Sequence, residues 1–398
     1  MEPTVKMPAA LDKRIQSIDI VRGIVMIIMA LDHIRDLMHT TSLTQSPTDL
    51  TTTTPALFFT RWITYLCAPT FVFLSGTSAY LSFKRSMSIN KTRKFLLKRG
   101  LWLIILEFTL VNFALWFDFE FRILMLQVIA AIGAGLIVLS FLLKANPKKI
   151  GAIALFIIFA HNLLQFIPRP GNSFLNVLLN VFFIPGPQIV SPDFMFFTSY
   201  PLIPWIAIML FGFSCGRVFE RETDYQKKWL LNTGLAALIL FTILRFVNKY
   251  GDPSPRITGQ DNIQTILSFF NVTKYPPSLI FDLLFLGITF ILLSFAEKFP
   301  VVVQRVLSVY GKVPLFYYLL HLYFIRLAVF IMAYAQDFKW KDLLFGPFQF
   351  GRPASGSGIR LLIIYLVWFI IIALLYPLCK WYGNYKTSHK ENKWLRYL

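Results

Sequence analysis

Between Ser17 and His39 the chain reads SIDIVRGIVMIIMALDHIRDLMH, an apolar run that carries Asp19, Arg22, Asp32, His33, Arg35, Asp36 and His39. A helix turns about 100° per residue. With Asp32 at zero, Asp36 falls at about 40°, Arg35 at about 300° and His39 at about 340°, all on one arc, while Arg22 and His33 lie on the adjoining stripe. His33 and His39 are candidate general bases, since imidazole titrates near neutrality. Asp32 and Asp36 are close enough to either ring to orient a nitrogen and stabilise its charged form. Arg35 can neutralise a carboxylate or bind an anionic substrate. An ionised side chain near the bilayer centre costs roughly 3 kcal/mol on insertion scales, so this cluster is expected to face the protein interior as a site. At the other end of the run, Asp19 and Arg22 are three apart, as in an ion pair. Alternatively, Arg22 faces a buried site or an entering phosphate.

Further polar residues stand inside apolar segments. Arg61, in FFTRWITYL, is expected to face the acids of the first run. Ser75 opens the small stretch Ser75–Gly76–Thr77–Ser78–Ala79, which lets a helix or a ligand approach closely. His321 lies in YGKVPLFYYLLHLYFIR near the middle of a span, where it serves either structure or function, and His161 is a weaker candidate of the same kind. Lys274 and Asp282, in NVTKYPPSLIFD, sit at a loop-to-helix junction that can form the mouth of a site. There is no Walker loop or dinucleotide fingerprint. GFSCG at 212–216 has nucleophile-elbow spacing but lies at the end of an apolar helix, where packing is the expected role. No His/Asp/Glu set has metal-ligand spacing, so no metal is expected.

The elements that must position these residues are membrane helices. The chain has 398 residues, 56% hydrophobic and only 15% charged, against about 25% charged in a soluble domain. The expected architecture is an all-α, polytopic membrane helix bundle forming a single domain over 1–398. It has about ten spans, near 18–38, 57–83, 95–116, 121–143, 149–167, 199–219, 228–247, 277–296, 313–335 and 359–381. The net charge of +19 is not a nucleic-acid signal. It arises because lysine and arginine crowd alternate loops by more than two to one, including seven in loop 84–99. The positive-inside rule then puts both termini in the cytoplasm. Asp32 to His39 falls at the outer end of the first span and Asp19 and Arg22 at the inner end. Among the outer loops, Phe174 to Ile184 is too short to span and is expected to be interfacial or re-entrant, and Thr258 to Val272 is expected to form an amphipathic surface helix. Cys67, Cys215 and Cys379 sit in apolar segments as core residues, with no disulfide framework.

Three blocks carry a resemblance: SIDIVRGIVMIIMALDHIRDLMH, CAPTFVFLSGTSAYL from Cys67, and TKYPPSLIFDLLFLG together with GKVPLFYYLLHLYFIR. In these the chain resembles the bacterial membrane proteins related to the lysosomal heparan-α-glucosaminide N-acetyltransferase, within the transmembrane acyltransferases. The resemblance implies transfer of an acetyl group from cytosolic acetyl-CoA to an amino or hydroxyl group of a sugar or glycan on the far side of a bacterial inner membrane. In the lysosomal relatives a first-block Asn and a following His form the catalytic pair. By position Asp32 stands for the Asn and His39 is the best match to the His, with Asp replacing Asn and a shorter gap to the His. His33 is the rival base. Arg35, Arg61 or backbone amides can hold the developing oxyanion, and the cations of 84–99 can attract CoA phosphates. Direct transfer is expected, because no Ser or Cys is clearly activated.

The expected partners are thus the lipid bilayer, acetyl-CoA and a glycan acceptor. A homo-oligomer is left open. The competing class is a transporter using the same charges, which calls for internal repeats and broken helices; a non-catalytic scaffold is the third. The orientation is testable by reporter fusion: a cytoplasm-active reporter at the C-terminus should be active and one inserted in Thr40–Thr54 silent. Equal activity from both would contradict the charge-based topology.

Overall fold

The computed structural model describes residues 15–166 and 173–397. Lys6, Lys13 and Arg14 of the basic N-terminal segment, and Pro168 and Pro170 of the loop before Phe174, lie outside the described residues. In chain order the helices are α1 (Gln16–Met38), α2 (Pro55–Thr64), α3 (Cys67–Ser86), α4 (Ile89–Leu106), α5 (Asn112–Trp116), α6 (Val128–Leu142), α7 (Pro147–Ala160), α8 (Ser173–Phe182), α9 (Leu202–Cys215), α10 (Thr223–Val247), α11 (Asn262–Phe270), α12 (Leu279–Phe295), α13 (Val301–Lys312), α14 (Pro314–Ala335) and α15 (Leu361–Ser388). Among the described residues eight helices are long and apolar enough to cross a membrane. Two of the ten expected spans fall outside that set. One is α1, too charged but largely buried. The other is α6, whose 15 residues reach only about 22 Å.

The bundle is organised around α1, whose buried residues run from Ser17 to Met38 and which packs against α3, α13, α14 and α15. Close packing of α3 on α9 depends on glycine. A Cβ at Gly76 would lie 2.0 Å from the Met209 carbonyl oxygen, and one at Gly212 2.1 Å from that of Phe73. Thr77 Oγ1 closes the same seam by donating to the Gly212 carbonyl at 3.0 Å. The GFSCG stretch is therefore helix packing. The three cysteines are buried and free.

Several sequence expectations are corrected. The apolar run 121–143 is not one helix. Its first part forms β1 (Ile123–Leu126), parallel to β3 (Phe194–Thr198), which in turn is antiparallel to β2 (Gly186–Ser191). Uniform apolarity hides the junction, because Ile123–Leu126 continues into the equally apolar α6. The start of α6 is secured from another chain segment. The Glu107 carboxylate accepts from Ile129 and Ala130 backbone N–H groups at 3.1 Å each, satisfying donors that a helix start leaves orphaned. Glu107 opens a π-helical turn, Glu107–Val111, and Asn112 ties that turn to Met125 of β1. The expected span 57–83 is found as one candidate membrane span, Pro55–Ser86, with a turn at Tyr65–Leu66 separating α2 from α3. The cationic stretch 84–99 is mostly the start of α4, entered through Met87 at φ 50°. The cytoplasmic-type stretch after Lys298 forms α13, where a Cβ at Gly311 would meet the Asp19 carbonyl oxygen at 1.8 Å. The expected surface helix is α11, with Ile263 and Ile266 exposed and Leu267 buried.

Because backbone is the obstacle at Gly76, Gly76→Val should lower stability by about 1–3 kcal/mol or more, seen as a reduced thermal midpoint in detergent. Gly383→Ala, where the nearest atom lies 3.8 Å away, should leave it unchanged.

Candidate active site

Two turns before the end of α1, Asp32 is buried and accepts three hydrogen bonds on one carboxylate oxygen. They come from Arg35 at 2.9 Å, Arg61 at 2.5 Å and the Thr64 hydroxyl at 2.8 Å. Arg35 also reaches Asp36 at 2.6 Å, and Arg61 lies 3.5 Å from the other Asp36 oxygen. Two carboxylates thus face two guanidiniums. α2 carries Arg61 and Thr64 onto α1, as expected for Arg61.

This cluster lines a cavity of about 220 Å³. Its wall includes Asp32, His33, Asp36, Arg61, Thr64, Gln127, Ser199, Tyr200, Lys274, Tyr275 and Phe350. Gln127, Ser199 and Tyr200 stand just beyond the ends of β1 and β3, so the small sheet carries one wall of the site. Burial raises the Tyr275 phenol, but the Lys274 ammonium and the Arg61 guanidinium outweigh it and hold the phenol below its ordinary value.

The two candidate histidines of the first run are separated. His33 lines the cavity, and its ring centroid lies 5.3 Å from that of His321. His321 is fully buried, with Nδ1 at 3.2 Å from the Tyr317 carbonyl. A carbonyl only accepts, so Nδ1 carries the proton and Nε2 is an acceptor. Among the described residues that Nε2 has no hydrogen-bond partner. His39 does not line the cavity. It caps α1, with Nδ1 held by the Thr41 hydroxyl at 2.9 Å. Arg352 donates to the His39 carbonyl at 3.0 Å. Burial, with help from Arg35 and Arg352, lowers the His39 imidazolium pKa below its ordinary value.

Arg22 and Ser75 belong to a second cavity, about 310 Å³, nearer the Gln16 end of α1. Arg22 donates to the Leu74 carbonyl at 3.0 Å and to the Ser78 hydroxyl. Arg99, Ser78 and Ser82 join it, while Met26, Leu96, Ile129, Ile132 and Leu136 supply an apolar wall. The small stretch of α3 therefore has two faces: Gly76 and Thr77 pack on α9, and Ser75 and Ser78 line this cavity. A third cavity, lined by Asp19, Arg22, Ser78, Ser82 and Arg85, continues from it. Phe71, Val128 and Tyr318 line both the Arg22 cavity and the Asp32 cavity, so only a partition of side chains stands between them.

Asp282 is buried, but it does not line either cavity, and neither of its oxygens has a hydrogen-bond partner among the described residues. His161 is held by the Pro277 carbonyl at 2.8 Å, a structural role. Among the described residues no group of His, Cys, Asp or Glu could hold a metal ion. Sequence reading missed Tyr318, Tyr200, Tyr275 and Gln127. Tyrosine and glutamine in apolar segments give no periodic signal, and only the packing of α14 and the sheet brings them to the cavity.

Asp32→Ala would leave Asp36 as the one carboxylate facing both Arg35 and Arg61. The expected cost is about 3–5 kcal/mol, read as a lower thermal midpoint. A second change, Arg61→Met, on that background should recover part of it.

The family described as "Heparan-alpha-glucosaminide N-acetyltransferase, catalytic" matches residues 14–246. No curated protein matches the chain significantly. The family match takes in α1, the α3 residues that line both cavities, the α4 wall of the Arg22 cavity and the sheet, and covers more than half of the chain. The apolar helices and this match agree: the chain is an integral, multi-pass membrane protein that belongs to the heparan-alpha-glucosaminide N-acetyltransferase catalytic family, a family of membrane acetyltransferases.

Proposed function

We propose that the chain transfers an acetyl group from cytosolic acetyl-CoA to an amino or hydroxyl group of a sugar outside a bacterial inner membrane. The carrying observation is the pair of cavities that meet at Phe71, Val128 and Tyr318. With the third cavity, which reaches Asp19, they follow α1 as far as Asp36 for about 25 Å at 1.5 Å per residue, close to the roughly 30 Å hydrocarbon thickness. A donor on one side and an acceptor on the other can thus approach one partition.

The Arg22 cavity suits the donor. Arg22, Arg85 and Arg99 offer cations for phosphates, and the apolar wall suits a pantetheine arm. The thioester supplies the acyl carbon. On the other side, the Asp32 cavity is smaller than the roughly 300–1,000 Å³ of drug-sized sites, which fits one terminal sugar unit.

In this reading His33 is the general base, in place of His39. It takes the proton of the attacking N–H or O–H as the new C–N or C–O bond forms. The C–S bond then breaks, and the proton passes to the sulfur of the leaving thiolate. His321 is a positioning residue. Its Nε2 lone pair suits a His33 tautomer that donates towards it and keeps its own lone pair for the acceptor. Arg61 lines the cavity and can stabilise the developing oxyanion. Asp32 is occupied by three donors, so its role is to hold the two arginines.

The test uses purified protein, labelled acetyl-CoA and a panel of amino and neutral sugars. His33→Ala should lose about 10²–10⁴-fold in transfer rate, while His39→Ala should stay within about tenfold of the parent, a loss too small for removal of a general base. Full activity of His33→Ala would remove the base assignment, and absence of any acetyl-CoA binding would remove the donor assignment.

A further inference from the structure

The buried cations among the described residues are Arg35, Arg245, Lys274, Arg326 and Arg352. Four of them donate to protein acceptors. Arg35 has Asp32 and Asp36. Arg245 donates to the Ser254, Ser268, Phe269 and Asn271 carbonyls. Arg326 and Arg352 likewise donate to backbone carbonyls.

Lys274 differs. It is 5% exposed and lines the Asp32 cavity. Among the described residues its ammonium has no hydrogen bond and no ion pair. Its contacts are the rings of Tyr65 at 5.2 Å and Tyr275 at 5.0 Å. Asp32 lies near enough to feel its charge but is bonded, like Asp36, to Arg35 and Arg61, so two carboxylates stand against three cations. The cavity therefore carries one positive charge in excess. Cation–π contacts return only part of what burying an ammonium costs. They also leave its three N–H donors free for a ligand.

We propose that Lys274 is an anion-binding point in the Asp32 cavity, and that the sugar bound there carries a carboxylate or a phosphate. This rests on the reading of that cavity as the acceptor site. The tyrosine pair fixes the ammonium's position, and Arg61, 4.9 Å from the Tyr65 ring centroid, adds positive potential on the same side. A neutral or purely cationic sugar would leave the excess charge uncompensated.

The experiment measures thermal unfolding of the purified full chain in detergent, at fixed pH and ionic strength. Glucuronate, glucose 1-phosphate, glucose and glucosamine are added in turn at equal concentration. At least one anionic sugar should raise the melting temperature by roughly 2 °C or more over glucose. Which of the two does so identifies the anion as carboxylate or phosphate. Lys274→Met should abolish that difference and Lys274→Arg should retain part of it. If Lys274→Met does not fold, the loss or retention is read from Lys274→Gln. Equal shifts with glucose and the anionic sugars, or an undiminished anionic shift in the neutral variants, would overturn the proposal. Binding is read here without turnover. A protein that binds anionic sugar but fails to transfer acetyl would sink the acyltransferase reading and leave the anion site. One that transfers acetyl with no anion preference would do the reverse.

Discussion

An aspartate inside a membrane helix must be neutralised where it stands, and the Asp32 carboxylate sets much of the surrounding structure. It collects Arg35 from its own helix and Arg61 and Thr64 from α2. Ions in a low-dielectric interior persist only when paired and hydrogen-bonded, so α2 must bring Arg61 and Thr64 against α1. The cavity lies beside this cluster and is lined by it. The same pairing holds Arg35 and Arg61 in place, leaving His33 and Lys274 as the cavity's titratable nitrogen-bearing side chains without an ion pair among the described residues.

The second constraint is close backbone packing. Gly76 against Met209, Gly212 against Phe73 and Gly311 against Asp19 remove side-chain volume where helices cross. This pulls α9 tightly onto α3, and α13 onto α1. The serines beside Gly76 then face inward, to the Arg22 cavity. One short stretch of small residues thus serves packing on one face and polar lining on the other. The outer wall is supplied by a different device, a three-stranded sheet whose ends deliver Gln127, Ser199 and Tyr200 to the site.

Much of the fold was legible. Long apolar runs locate the helices, and the charges within Ser17–His39 mark α1 as the helix that faces the interior. Arg61 could be paired with the acids of α1 from sequence, because an arginine in an apolar helix needs a counter-ion. The failures share a cause. Hydropathy reports that a segment is buried and is blind to what surrounds it. Ile123–Leu126 reads as the start of a helix, and the sheet appears only when Phe194–Thr198 lies alongside. The cations of 84–99 read as a loop because charge resembles solvent exposure, yet most of them lie on the first turns of α4.

The sequence by itself determined the membrane class, the composition of the charge cluster and its place at one end of α1, because periodicity and the cost of buried charge are local properties. Only the tertiary structure decided which histidine meets a cavity. His33 and His39 are six positions apart on or beside one helix. A turn of backbone and the Thr41 and Arg352 contacts send His39 to a cap, while α14 brings His321 beside His33. The partition of Phe71, Val128 and Tyr318 is likewise invisible in the chain. It draws on three helices far apart in sequence, and a shared wall exists only once they are packed.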